Sequence, residues 1–116
     1  MPEFEFLFNN EIYYINIGRN ASNNWDLLDD SLFKSKYVLF HVYPGSSSYV
    51  ILKNETVTKL RDIPLQVIKR CGCLCKSHSN SKRIPNIEIH YAFVENCEKG
   101  EKIGEVIMSK SRVVKV

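Results

Sequence analysis

The chain has 116 residues, 44% of them apolar and 25% charged, which are ordinary proportions for one globular domain. A core of that size folds without disulfide staples or a structural metal. No apolar run approaches the ~20 residues that span a bilayer, and the acidic start Met1-Pro2-Glu3-Phe4-Glu5 lacks the basic and apolar parts of a secretory signal. The expectation is a cytoplasmic domain without membrane association.

The net charge of +3 is unevenly spread. Residues 1–30 carry one cation, Arg19, against six carboxylates, whereas residues 31–83 carry ten cations against Glu55 and Asp62. Residues 84–116 hold five of each. A basic region on an otherwise acidic or neutral chain suits a domain that orients itself on a polyanion.

Phe4, Phe6 and Phe8 recur with period two, as do Tyr13, Ile15 and Ile17, so two strands are expected with a hairpin turn at Asn9-Asn10. Gly18 to Asn24 reads as a polar loop, with Ser22 or Asn23 capping a short helix that carries Trp25, Leu27 and Leu28. Tyr37 to Val42 and Tyr49 to Leu52 form a second hairpin through Pro44-Gly45-Ser46-Ser47-Ser48. Asp62-Ile63-Pro64 has the form of a helix start, with Asp62 as the N-cap acceptor and a proline where its missing N–H costs nothing, and the helix is expected to run to about Ser79. Ile87 to Phe93 alternates again, and Val106-Ile107 and Arg112 to Val116 close the chain as short strands. The fold class is therefore α+β: a mainly antiparallel sheet built from hairpins, with one major amphipathic helix and one short helix packed on it, in a single domain.

On a helical wheel of ~100° per residue, Val67, Ile68, Cys71, Leu74 and Cys75 share one side. Lys69, Arg70, Cys73, Lys76 and Ser77 share the other, so the helix is read as apolar inside and cationic outside. Beyond it, Lys76-Ser77-His78-Ser79-Asn80-Ser81-Lys82-Arg83 joins cations to short hydrogen-bond donors with no acid, the mixture that phosphate oxygens accept. Ser46 and Ser47, in a Gly/Ser turn, offer backbone and hydroxyl donors for an anion. Tyr49 offers a ring on which a base could stack.

Chemistry beyond binding finds little support. Cys71, Cys73 and Cys75 crowd too closely for a disulfide framework, which favours a reducing compartment. Cys73 points ~160° or more away from Cys71 and Cys75, so one tetrahedral ion cannot collect all three. Cys71, Cys75, His78 and Cys97 are the remaining zinc arrangement, set against the simpler reading of thiols packed under the helix. Ser46 to Ser48 near His41 lack a nucleophile elbow and an orienting acid. No catalytic residue, metal or cofactor is assigned.

Several segments occur together in one order: Ile17-Gly18-Arg19-Asn20 with Asn23-Asn24 and Leu27; Phe40-His41; Ser46 to Leu52; a helix ending in Lys76-Ser77-His78-Ser79; and Gly104-Glu105-Val106. Together they resemble the NFACT RNA-binding domain, from about Glu11 to Val116, and most nearly its short eukaryotic branch, in which the domain begins near the N-terminus. The chain departs from that pattern at Tyr49, where the family's second histidine is usual, and in lacking a charged coiled-coil tail after Val116. The resemblance implies a non-enzymatic module for structured RNA, with ribosomal RNA or tRNA as partner, acting as a monomer that occupies a tRNA site on the ribosome and regulates translation or dormancy. It adds Arg19, Asn20 and His41 to the candidate binding residues and reinforces Lys76 to Ser79. A DNA-binding module and a protein-interaction adaptor with incidental RNA binding are the competing readings.

Overall fold

The computed structural model describes residues 3–18, 25, 36–43, 48–80, 82–102 and 105–116. The expected polar loop after Gly18, the short helix apart from Trp25, and the link Pro44 to Ser47 lie outside them.

Strands β1 (Glu3–Phe8) and β2 (Glu11–Ile17) pair antiparallel from Glu3 opposite Asn16 to Phe8 opposite Glu11. Asn9 and Asn10 take φ of 50° and 65° between them. Two consecutive left-handed residues make the type I′ turn whose twist matches that of the strands, and Asn tolerates this region better than most residues. Strands β3 (Val38–Tyr43) and β4 (Val50–Leu52) form the second hairpin. Strand β4 also pairs with β2, and β3 pairs with β5 (Glu88–Phe93), which in turn pairs with β8 (Arg112–Lys115). The result is one antiparallel sheet in the order β1-β2-β4-β3-β5-β8.

Helix α1 spans Leu65–Ser77 and lies across one face of this sheet. Its start corrects the sequence expectation. Pro64 is the N-cap, Asp62 ends a separate 3₁₀ turn at Leu60–Asp62, and no side chain caps the helix. The physical reason is Pro64, which drives Ile63 into the extended region (φ −77°, ψ 130°) and so turns Asp62 away from the first helical N–H groups. Val67, Ile68, Cys71 and Cys75 are buried, as the wheel predicts, whereas Leu74 on the same side is half-buried and Gly72, outside that side, is buried as well. Gly72 permits the close approach: a Cβ there would stand 3.2 Å from Val116 and 3.3 Å from Val114.

Alternation sorts the strand residues into two cores. Ile15, Ile17, Val38, Phe40, Val50, Leu52, Ile89 and Tyr91 face the helix. Leu39, Ile51 and Ala92 face the opposite way and pack with Tyr49, Val94 and Cys97. A small two-stranded ribbon, β6 (Cys97–Lys99) with β7 (Val106–Met108), supplies part of this second layer. Trp25 joins it by donating its indole N–H to the Glu105 carbonyl at 3.1 Å. The sequence pattern shows no strand at β6, and the two closing strands that it does show, at Val106-Ile107 and Arg112 to Val116, belong to different sheets.

This layering removes the remaining zinc arrangement. Cys71 and Cys75 lie in the helix-facing core and Cys97 in the other. Among the described residues no three His, Cys, Asp or Glu side chains are placed to share an ion. All four cysteines are free thiols. Burial pushes the Cys71 thiol far up and that of Cys97 up to about 12, so both stay protonated and act as small apolar side chains.

Candidate nucleic-acid interface

Strand direction defines two ends of the molecule. At one end Tyr43 finishes β3, Glu88 begins β5, Lys115 finishes β8, and the C-terminus of α1 arrives. The other end holds Val38, Phe93 and Arg112, together with the 3₁₀ turn that precedes α1.

Most of the basic residues proposed from sequence gather on α1 and at its C-terminal end. Lys69, Arg70, Ser77, His78, Lys82 and Arg83 are exposed, whereas Lys76 and Ser79 are half-buried. The last turn of a helix leaves carbonyls without intrahelical partners. Here the Ser77 hydroxyl donates to the Leu74 carbonyl at 2.9 Å and the Ser79 hydroxyl to the Lys76 carbonyl at 2.7 Å. Lys76 donates its ammonium to the Val116 carbonyl at 3.1 Å. The two hydroxyls therefore close the helix end on its own carbonyls, and Lys76 ties that end to the residue after β8. Arg70 rests its guanidinium 5.8 Å from the Phe6 ring centroid, a stacked position in which the group stays exposed. Among the described residues, Lys69, Lys82 and Arg83 form no ion pair with a carboxylate.

His41 lies elsewhere. It faces away from the helix on β3, directly opposite His90 on β5. Its ring meets Tyr49 edge-on at 5.4 Å. Burial, reinforced by the neighbouring His90 and opposed by a backbone hydrogen bond at Val42, lowers the His41 pKa below its ordinary value. At neutral pH the ring is thus an uncharged hydrogen-bonding group, not a cation. Tyr49 is 0% exposed and cannot offer its face to a base, which corrects the stacking role read from sequence. Its ring fills the second core because the backbone at residue 49 leads directly into the buried strand β4. Arg19, Asn20, Ser46 and Ser47 lie outside the described residues.

A different tyrosine has the geometry that Tyr49 lacks. Tyr43 is 57% exposed and stacks on His90 with centroids 4.3 Å apart and planes within 20°. The His90 imidazole is held in turn by Glu88 at 3.2 Å. This pair leaves ring surface facing solvent at the same end of the molecule as the cationic helix terminus. The sequence signal was present: Tyr43 follows His41 by two residues, and His90 interrupts an apolar strand at the alternating position. Only the register of β3 against β5 brings them together.

The comparisons with known proteins agree with this architecture. The C-terminal part of the fibronectin/fibrinogen-binding protein from Streptococcus suis shares the fold, with a TM-score of 0.79 over 99% of this chain and 44% of that one at 18% identity. The model of the NFACT protein RNA binding domain matches residues 3–114, from the first strand to the last, and the chain belongs to that family. Among curated proteins it is similar to coiled-coil domain-containing protein 25 of Mus musculus and of Bos taurus, 27% identical to each over 111 residues. That alignment takes in 93% of this chain and 52% of theirs, so the chain spans about half the length of these relatives. Among the described residues no helix is long and apolar enough to cross a membrane.

Proposed function

We propose that this domain binds structured RNA without catalysis, on ribosomal RNA or tRNA, and regulates translation by occupying a site on the ribosome that tRNA uses. The observation that carries this reading is that, in a domain of an RNA-binding family, an exposed stacked ring pair lies at the same end of the sheet as the C-terminus of the cationic helix, on the sheet face turned away from that helix. Lys82 and Arg83, with Lys69 and Arg70 on the adjoining helix face, supply phosphate contacts, and Tyr43 on His90 supplies a surface for an unstacked base. His41 contributes a neutral hydrogen-bonding group beside that ring pair. Four free thiols support a reducing, cytoplasmic setting.

The direct test is co-sedimentation with ribosomes on a sucrose gradient, followed by competition among ribosomal RNA, tRNA and duplex DNA. The protein is expected in the ribosomal fractions, with RNA the stronger competitor. Reversal of Lys69, Arg70, Lys82 and Arg83 to Glu should weaken RNA binding by about tenfold or more and flatten its salt dependence by ~0.7–0.9 log units per lost phosphate contact. Tyr43→Ala should weaken single-stranded RNA by the ~1–3 kcal/mol that one base stack contributes. All these side chains are exposed, so melting temperatures should stay near that of the parent protein. Binding that survives the reversals unchanged, or that nuclease treatment does not release, would favour a protein partner instead.

A further inference from the structure

A second cationic feature stands at the opposite end of the sheet, built from residues that the chain keeps far apart. Lys36 before β3, Lys59 and Arg61 at the 3₁₀ turn, Lys110 in the turn after β7 and Arg112 at the start of β8 all line one cleft of about 450 Å³. Its single acidic lining residue, Glu95, is held by Lys36 at 2.6 Å. Among the described residues no carboxylate pairs with the other four cations, and all four are exposed. Four like charges in one concavity repel one another and focus a positive potential outward.

Two details suit the cleft to an anion. Lys110 adopts φ of 52°, a left-handed conformation that costs an L-residue roughly 1–2 kcal/mol and that glycine or asparagine adopts more easily. A strained residue retained at the rim of a charged cleft is a pointer to function. Arg112 stands directly opposite Tyr91 in the β5–β8 pairing, so strand register fixes its place at the cleft before any ligand arrives. The cleft offers no stacking surface, because Phe93 is 6% exposed and the Lys36 ammonium sits 4.8 Å over its ring. Thr58 and Asn96 supply the remaining polar lining. Cations and small polar groups without an open ring recognise a sugar–phosphate backbone and leave bases unread.

We infer that this cleft takes the phosphodiester backbone of an RNA strand, as a second contact separate from the helix terminus. The inference rests on the RNA-binding reading above and extends it. Helix α1 has 13 residues and so separates the two sites by on the order of 20 Å, a distance that a strand of several nucleotides crosses. A ligand spanning both would run the length of the domain.

The test compares the parent protein with the triple variant Lys59→Gln/Arg61→Gln/Lys110→Asn, using a 20-nucleotide oligouridylate and bulk tRNA as probes in fluorescence anisotropy at several salt concentrations. Asparagine keeps the left-handed turn, so the melting temperature should hold or rise while tRNA binding weakens by about tenfold and the log–log salt slope flattens by about 2, at ~0.7 per lost contact. Lys110→Asn alone separates charge from folding: stability maintained, affinity reduced. If the parent binds RNA and the triple variant matches it in affinity and slope, the cleft is not an RNA site and the broader reading stands. If the parent binds neither probe, both fall.

Discussion

His41 illustrates how a side chain recognised in a motif acquires a different physical character once its neighbours are known. Burial and the facing His90 hold its pKa down, so the folded protein binds fewer protons here than the unfolded chain, whose imidazole titrates near ~6.5. Stability from this site is therefore fully present above pH ~6.5 and is lost as pH falls toward the depressed folded value. Thermal melting between pH 5 and 8 should show stability falling on the acid side, and His41→Phe should flatten that slope. Tyr43 and Tyr49 make the complementary point. Six residues apart in the chain, one ring is exposed on a histidine and the other completely covered, and only the first can meet a ligand.

At the scale of elements, the β1–β2 hairpin is specified locally. Both turn residues occupy the left-handed region, where a β-branched side chain is most heavily strained. Asn10→Val should cost roughly 1–2 kcal/mol, whereas Asn10→Gly should be neutral or slightly stabilising, as chemical denaturation would measure. The helix presents a contrast. Its faces follow from period alone, and the wheel assigns Val67, Ile68, Cys71 and Cys75 to the core correctly. Its start does not, because the conformation imposed by Pro64 on Ile63 competes with capping by Asp62 and wins. The basic run after the helix also divides on inspection: Lys76, Ser77 and Ser79 close the helix terminus, and Lys82 and Arg83 remain outward.

The whole molecule is a sheet with two cores, and the larger one depends on the helix staying seated. Ile68 is 2% exposed between α1 and the sheet. Ile68→Ala should cost roughly 2–5 kcal/mol, a large part of the ~5–15 kcal/mol that stabilises a small domain. Urea titration would register it as a lower midpoint. RNA binding measured below that midpoint should be unchanged, since Ile68 reaches neither basic site.

The sequence by itself determined the α+β class, both hairpins, the inner and outer faces of the helix and the family. Each of these is written in short-range periodicity, turn chemistry or ordered motifs, which need no knowledge of distant contacts. Tertiary structure alone decided which strands share a sheet, that Cys97 lies across the sheet from Cys71 and Cys75, and that Tyr43 pairs with His90. It also decided where charge concentrates. Residues 84–116 balance on paper, yet Lys110 and Arg112 turn toward Lys59 and Arg61 while the one carboxylate beside them is occupied by Lys36. Strand register and the fold of the chain's last turn create that cleft, and neither leaves a local pattern in the sequence because both depend on pairing between segments tens of residues apart.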